Sequence, residues 1–446
     1  MNASSDLRAA DGGSPNYTSA LVIVTSLFFM WGFITVLVDA LIPRLRDVFE
    51  LSYFAAGMLQ FAFFTAYFVF SIPSGGMIAR IGYKRGVVVG LVTMGVACLL
   101  FYPAASLRIF PVFMLAMFVL AGGITILQVA ANPYVAALGP ARTAASRLNL
   151  SQAFNSLGTT LAPLVSAAFI LSSTVMSSAE VEALSEADRM AYYISEAAAV
   201  QGPFLVLAGV LIALAVFFML VKLPRILEGD DDKGGSYRQA FAEKHLMFGA
   251  IGIFVYVGAE VSIGSYLVNY LQSLDVTAIV AGSGLASSIA SMLSGSDPST
   301  LNPARLAGTF VALYWGGAMV GRFLGSYLQL RVRPGRLLAV YALVNVSLLA
   351  LTMTLSGSAA FWTVLSIGLF NSIMFPTIFT LAIDGLGNHT AQGSGILCTA
   401  IVGGAIIPPL YGLVADMSSL TVAFLVPMAC YLYIAWYGRV GSQIRG

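Results

Sequence analysis

The chain has 446 residues, 59% of them hydrophobic and 9% charged, with a formal net charge of +2 at pH 7. A soluble domain carries about 25% charged residues. The composition therefore excludes a soluble globular fold and predicts an all-α membrane protein with many spans, while the net charge says nothing about partners. Cys98, Cys398 and Cys430 all lie in apolar runs, with neither disulfide nor metal spacing.

Residues 1–20 lack an apolar core, so they read as a polar tail rather than a signal peptide. The first apolar run, Leu21–Pro43, carries a single charge, Asp39. A carboxylate in the middle of a spanning helix costs about 2.5–3.5 kcal/mol on insertion scales. Asp39 must therefore face a protein interior or a water-filled cavity, or else reach headgroup water, because Pro43 and Arg44 begin a polar turn four residues on. Eleven further segments of spanning length follow, near 53–79, 86–104, 110–138, 149–172, 200–222, 246–272, 305–330, 336–355, 360–385, 394–416 and 420–438. The polar stretch 223–245 divides them into a first half, 21–222, and a second, 246–438, with a tail at 439–446. Two other long connections stand out. Ser173–Ala199 contains a stretch that reads as a short surface helix, and Ser273–Ala304 is rich in Ser, Gly and Ala and reads as a mobile loop.

Basic residues cluster in the loops 80–86, 139–148, 222–245 and 331–336, each of which follows an even-numbered span. The other side has only Arg44, Arg46, Arg108, Arg189 and Arg305. The positive-inside rule then puts both termini in the cytoplasm.

Polar residues inside spans carry the functional signal. Thr125, Gln128 and Asn132 share one helix face, and Pro133 beside them frees a backbone carbonyl. Asn149, Gln152, Asn155 and Thr159 share another. Amides both donate and accept, as sugar hydroxyls do, so two amide faces on neighbouring spans suit a polyol site. For any single amide, interhelical hydrogen bonding is the plainer role. Glu260 lies midway along the seventh span, with Tyr256 one turn before it. It is either a carboxyl hydrogen-bonded within the bundle or a group that binds a proton. The tenth span carries Asn371, an amide candidate for contact with a sugar hydroxyl, and Pro376, where a mid-span Pro bends a helix beside a cavity. Trp31 is an aromatic candidate for stacking on a pyranose, and Arg322 and Asp384, near helix ends, are gate candidates. No nucleotide-binding loop, metal cluster or nucleophile motif is present, so neither a cofactor nor an enzyme is expected.

The two halves echo each other. Gly76-Met-Ile-Ala-Arg80-Ile-Gly82-Tyr-Lys84-Arg85-Gly86 in the first corresponds to Gly321-Arg322-Phe-Leu-Gly325 followed by Arg331-Val-Arg333-Pro-Gly335-Arg336 in the second. Two parallel six-helix halves are the architecture of the major facilitator superfamily. The first basic turn resembles that superfamily's signature loop, with Ala79 where the pattern has an acid. More specifically, the chain resembles the fucose/galactose/glucose:proton symporters. The matching motifs are Phe29-Met-Trp31-Gly32 with Asp39 eight residues after the tryptophan, Gln128-Val-Ala-Ala-Asn132-Pro133-Tyr134, Arg147-Leu-Asn149-Leu-Ser-Gln152, Tyr256-Val-Gly-Ala-Glu260, Phe375-Pro376-Thr377-Ile-Phe379 and Ala400-Ile-Val-Gly403-Gly404-Ala-Ile-Ile-Pro408-Pro409.

The resemblance implies a major facilitator fold of 12 transmembrane helices in the bacterial inner membrane, importing a monosaccharide with a cation. It implies that Asp39 couples to the proton. The fucose branch has a glutamate where Gln128 stands and a glutamine where Glu260 stands, so the pattern is closer to the glucose/galactose or N-acetylglucosamine branch. The expected function is proton symport of a hexose or amino sugar by alternating access. The alternatives are Na⁺ symport, a sugar or drug exporter, and a non-transporting sensor. The expected partners are a small-molecule sugar, a coupling cation and the lipid bilayer, with no nucleic acid and with the protein a monomer.

Overall fold

The computed structural model describes residues 17–48, 53–107, 109–169, 183–226 and 235–444, and these contain helices and turns but no strand. In the first part of the chain the long helices are α1 (Thr18–Val48), α2 (Tyr53–Ile81), α3 (Tyr83–Leu107), α4 (Phe110–Ala137), α5 (Ala144–Phe169) and α6 (Glu186–Leu220). In the second part they are α7 (Lys244–Ser273), α8 (Pro303–Leu328) and α9 (Pro334–Thr354). The last three spans are each broken. Span ten is α10 (Gly357–Asn371) and α11 (Met374–Ile383), and span eleven is α12 (Thr390–Thr399) and α13 (Gly403–Met417). Span twelve enters through a single turn, Leu420–Ala423, and continues as α14 (Leu425–Trp436).

Ten helical stretches among the described residues are long and apolar enough to cross a membrane. The two spans outside that set are α5 and α8. Each has 26 residues, about 39 Å at 1.5 Å per residue, so they fall short in apolarity and not in length. They are the spans that carry Asn149, Gln152, Asn155 and Arg322, and they pack against each other. Interior spans tolerate polar residues that a lipid-facing helix does not. With these two, the described residues hold the twelve spans expected.

Two connections differ from expectation. The stretch from Glu186 is not a separate surface helix. It forms the opening turns of α6, started by Ser185, whose Oγ accepts from Asp188 N–H at 3.2 Å. The Ser273–Ala304 connection holds two short helices, Val276–Ala281 and Gly284–Ser294. The cause is local: Asp275 and Ser283 cap their N-termini. The centre of the predicted linker and most of the N-terminal tail lie outside the described residues.

The first six spans pack among themselves, as do the last six, and the two sets meet where α2, α4 and α5 face α8, α11 and α12. Near the ends that bear the basic loops this seam is closed. Ser146 Oγ donates to Ser326 O at 2.7 Å, and Ser326 Oγ returns a bond to Ser146 O at 3.1 Å. Tyr237, just before α7, donates its hydroxyl to Ile72 O of α2. Burial pushes that hydroxyl up to about 12, so it stays protonated at neutral pH. Arg147 has a local role besides its charge. Its guanidinium donates to Val135 O at 3.3 Å, to Pro140 O at 3.0 Å and to Ala136 O, closing the C-terminus of α4.

The α1–α5 crossing is close at Gly32 and Gly158. A Cβ on Gly32 would lie 2.7 Å from Asn155 Nδ2, and one on Gly158 would run into Phe29 O and lie 2.9 Å from Phe33 N. Overpacking of this kind costs about 1–3 kcal/mol. Gly158→Ala is therefore expected to lower the melting temperature of the detergent-solubilised protein, and an unchanged melting curve would mean that the crossing yields.

Candidate functional site

A cavity of about 200 Å³ lies midway along the bundle, between the two sets of spans. It is smaller than the 300–1,000 Å³ typical of pockets for drug-sized ligands, so it suits one small molecule. Its walls are Trp31 of α1, Gln128 of α4, Gln152 and Asn155 of α5, and Tyr256, Val257 and Glu260 of α7. Arg322 of α8, Phe375 and Pro376 of α11, and Ile401 in the break between α12 and α13 complete it. Both helix breaks beside it thus fall where backbone irregularity has protein and not lipid around it.

The polar groups are held by specific bonds. Gln128 Nε2 donates to Tyr67 OH at 2.5 Å. Asn155 Nδ2 donates to Phe28 O at 2.9 Å, a bond made by the close α1–α5 crossing. Tyr256 OH donates to Glu260 Oε1 at 2.7 Å, one helical turn along. Trp31 is only 7% exposed and leans on Phe28, ring centroids 5.5 Å apart, with its remaining surface on the cavity.

Arg322 is placed by a proline. Pro376 has no N–H, so the carbonyl four residues earlier, Ser372 O, loses its helical donor. Arg322 Nε supplies one instead, at 3.2 Å. Nη1 of the same side chain donates across the seam to Ser156 Oγ, whose own hydroxyl bonds back to Gln152 O at 3.1 Å. Among the described residues no ion pair joins Arg322 to Glu260, although both line the cavity. The sequence put Arg322 near a helix end, as a gate. Helical side chains tilt toward the helix N-terminus, and on α8 that direction leads to the cavity and not to the loop.

Trp31, Gln128, Gln152, Asn155, Tyr256, Glu260 and Arg322 therefore come together, but three other candidates do not. Asn132 is fully buried off the cavity, and neither its amide nitrogen nor its oxygen has a partner. Asn371 is the node of a separate polar cluster. Its Oδ1 accepts from Asn345 Nδ2 at 2.9 Å and from Tyr431 OH at 2.6 Å, and its Nδ2 donates to Tyr314 OH at 2.7 Å. Asp384 ends α11, where its backbone oxygen bonds His245 Nε2 at 2.9 Å, away from the cavity. The backbone of Asp39 belongs to α1, but its side chain lies outside the described residues. Sequence reasoning missed Tyr67 and Ser156, which hold the polar groups. Tyr67 is one aromatic in an aromatic-rich span, and nothing local marks it.

A family model described as Major Facilitator Superfamily matches residues 20–409. This chain belongs to that superfamily and is a multi-pass membrane protein of a transporter family. It is 51% identical over 441 residues to a protein of Brucella abortus named glucose/galactose transporter, covering 98% of this chain and 97% of that one. It is 32% identical over 451 residues to the L-fucose-proton symporter of Escherichia coli, covering 98% and 97%. A crystal structure of a superfamily transporter, FucP, in the outward conformation matches with a TM-score of 0.84 and 31% identity, covering 96% of this chain and 99% of that one. The higher identity to the glucose/galactose protein follows the order that Gln128 and Glu260 implied.

The Asn371 cluster is a structural node, so its loss has a distinct signature. Asn371→Ala leaves Tyr314, Tyr431 and Asn345 without their shared partner, at about 1–3 kcal/mol for each unsatisfied buried group. The expected result is a lower melting temperature with ligand affinity of the folded protein unchanged, measured by thermal melts and equilibrium binding. A selective loss of affinity would put Asn371 at the site after all.

Proposed function

We propose that this chain imports a hexose, glucose or galactose, by symport with protons, alternating access between its first six and last six spans. The observation that carries the reading is the small cavity where Gln128, Gln152, Asn155 and Glu260 converge beside Trp31 and Arg322. Amides, a carboxylate and a guanidinium supply acceptors and donors for several hydroxyls, while Trp31 offers an apolar face for a sugar ring. The names of the Brucella abortus and Escherichia coli relatives support a sugar cargo and, for the latter, a proton as the coupling ion.

In this reading Asp39 binds the driving proton and Glu260 ties the cation to the sugar. Alternating access moves a carboxyl between dry and wet surroundings, which shifts its proton affinity and lets it load on one side and release on the other. Arg322 offsets the charge of Glu260 and links the halves through Ser156. In this reading the basic loops and both termini face the cytoplasm of a bacterial inner membrane, the closed seam at those loops supports an outward-facing state, and the protein acts as a monomer.

The test is uptake of labelled glucose and galactose into proteoliposomes under separate H⁺ and Na⁺ gradients. A proton gradient alone should drive accumulation. Asp39→Asn should exchange sugar but not concentrate it, and Glu260→Gln and Gln152→Ala should weaken binding, the latter by about 1–3 kcal/mol for an unpaired buried partner. Accumulation that follows only sodium would replace the proton, and concentration of sugar by Asp39→Asn would remove Asp39 from the coupling role.

A further inference from the structure

The cavity wall is polarised in its hydrogen bonding. Asn155 Nδ2 donates to Phe28 O, and a backbone carbonyl only accepts, so the amide is fixed with Oδ1 as its free end. Gln128 Nε2 donates to Tyr67 OH, but a hydroxyl both donates and accepts, so this partner holds the amide without fixing which end faces the ligand. Tyr256 OH donates to Glu260 Oε1, which leaves Oε2. Among the described residues neither Asn155 Oδ1 nor Glu260 Oε2 has a protein donor. Arg322 is the contrasting group. Its Nε and Nη1 are committed to Ser372 O and Ser156 Oγ, and its remaining Nη2 only donates.

We propose that this wall reads the polarity of ligand hydroxyls. Those facing Asn155 and Glu260 must donate and the one facing Arg322 must accept, whereas Gln128 can meet either polarity, because the Tyr67 hydroxyl pairs with either end of its amide. Tyr67 is itself off the cavity, 3% exposed and packed on Phe63 at 5.5 Å between ring centroids. The inference rests on the hexose reading above and deepens it, because it specifies how each hydroxyl is recognised.

Monodeoxy and monofluorodeoxy hexoses separate the two polarities. Removing a hydroxyl removes both a donor and an acceptor, while replacing it by fluorine removes the donor and keeps a weak acceptor. The experiment is competition by each analogue against labelled glucose uptake in proteoliposomes. At the positions facing Asn155 Oδ1 and Glu260 Oε2, both analogues of a pair should be weakened equally, by about tenfold or more, the effect of a buried acceptor left unpaired. At the position facing Arg322 the fluoro analogue should keep most of the parent's affinity and the deoxy analogue should not. Fluoro analogues that outbind deoxy analogues at every position overturn the polarity. Competition by hexoses without the expected pattern overturns this inference alone, whereas failure of every hexose to compete overturns the hexose reading and this inference with it.

Discussion

In a bilayer a backbone carbonyl has no water to turn to, so each one must find a donor within the protein. That constraint organises the centre of this molecule. Pro133 and Pro376 each remove the helical donor of the carbonyl four residues earlier, Val129 O and Ser372 O. Both carbonyls are taken by side chains from other helices: Ser394 Oγ reaches Val129 O at 2.8 Å, and Arg322 Nε reaches Ser372 O at 3.2 Å. The first bond stitches α4 to α12 across the seam between the halves. The second fixes a cation in the cavity wall.

The same logic accounts for how the cavity is lined. Each polar group there has part of its hydrogen-bonding capacity met by the protein and part left over. A side chain with nothing met would be mobile and costly to bury, and one with everything met would have nothing to offer a ligand. Gln128, Asn155, Glu260 and Arg322 sit between these limits. Asn371 is at the satisfied extreme, with three partners and no place on the cavity. Asn132 is at the other extreme, fully buried with neither amide atom paired.

The seam beneath the cavity is made of small contacts: two serines exchanging bonds, one serine on a freed carbonyl, and a tyrosine from the chain before α7. Single hydrogen bonds of this kind contribute about 0.5–1.5 kcal/mol each. A seam held by several such bonds, with no ion pair across it among the described residues, can hold the halves together and still part under a modest bias. This is the energetic scale that two exchanging arrangements require.

The sequence by itself determined the spans, the two sets of six and most of the cavity wall. Lipid imposes apolar length on each crossing, so the few mid-span polar residues stand out, and Gln128, Gln152, Asn155, Tyr256 and Glu260 were legible on that ground, while Trp31 was legible as an aromatic suited to stack on a sugar ring. Periodicity supplied the shared faces, because residues three or four apart on a helix lie side by side. What lay beyond its reach is whatever depends on a second helix. Whether an amide faces the cavity or a buried cluster is set by the rotation of its helix against neighbours, and this separated Asn155 from Asn371. Only the assembled bundle brought Tyr67 to Gln128, Phe28 O to Asn155, and Arg322 to the carbonyl that Pro376 had freed. These partners are up to 127 residues apart in the chain, and no local pattern connects them, because the bonds belong to helix crossings and not to helices.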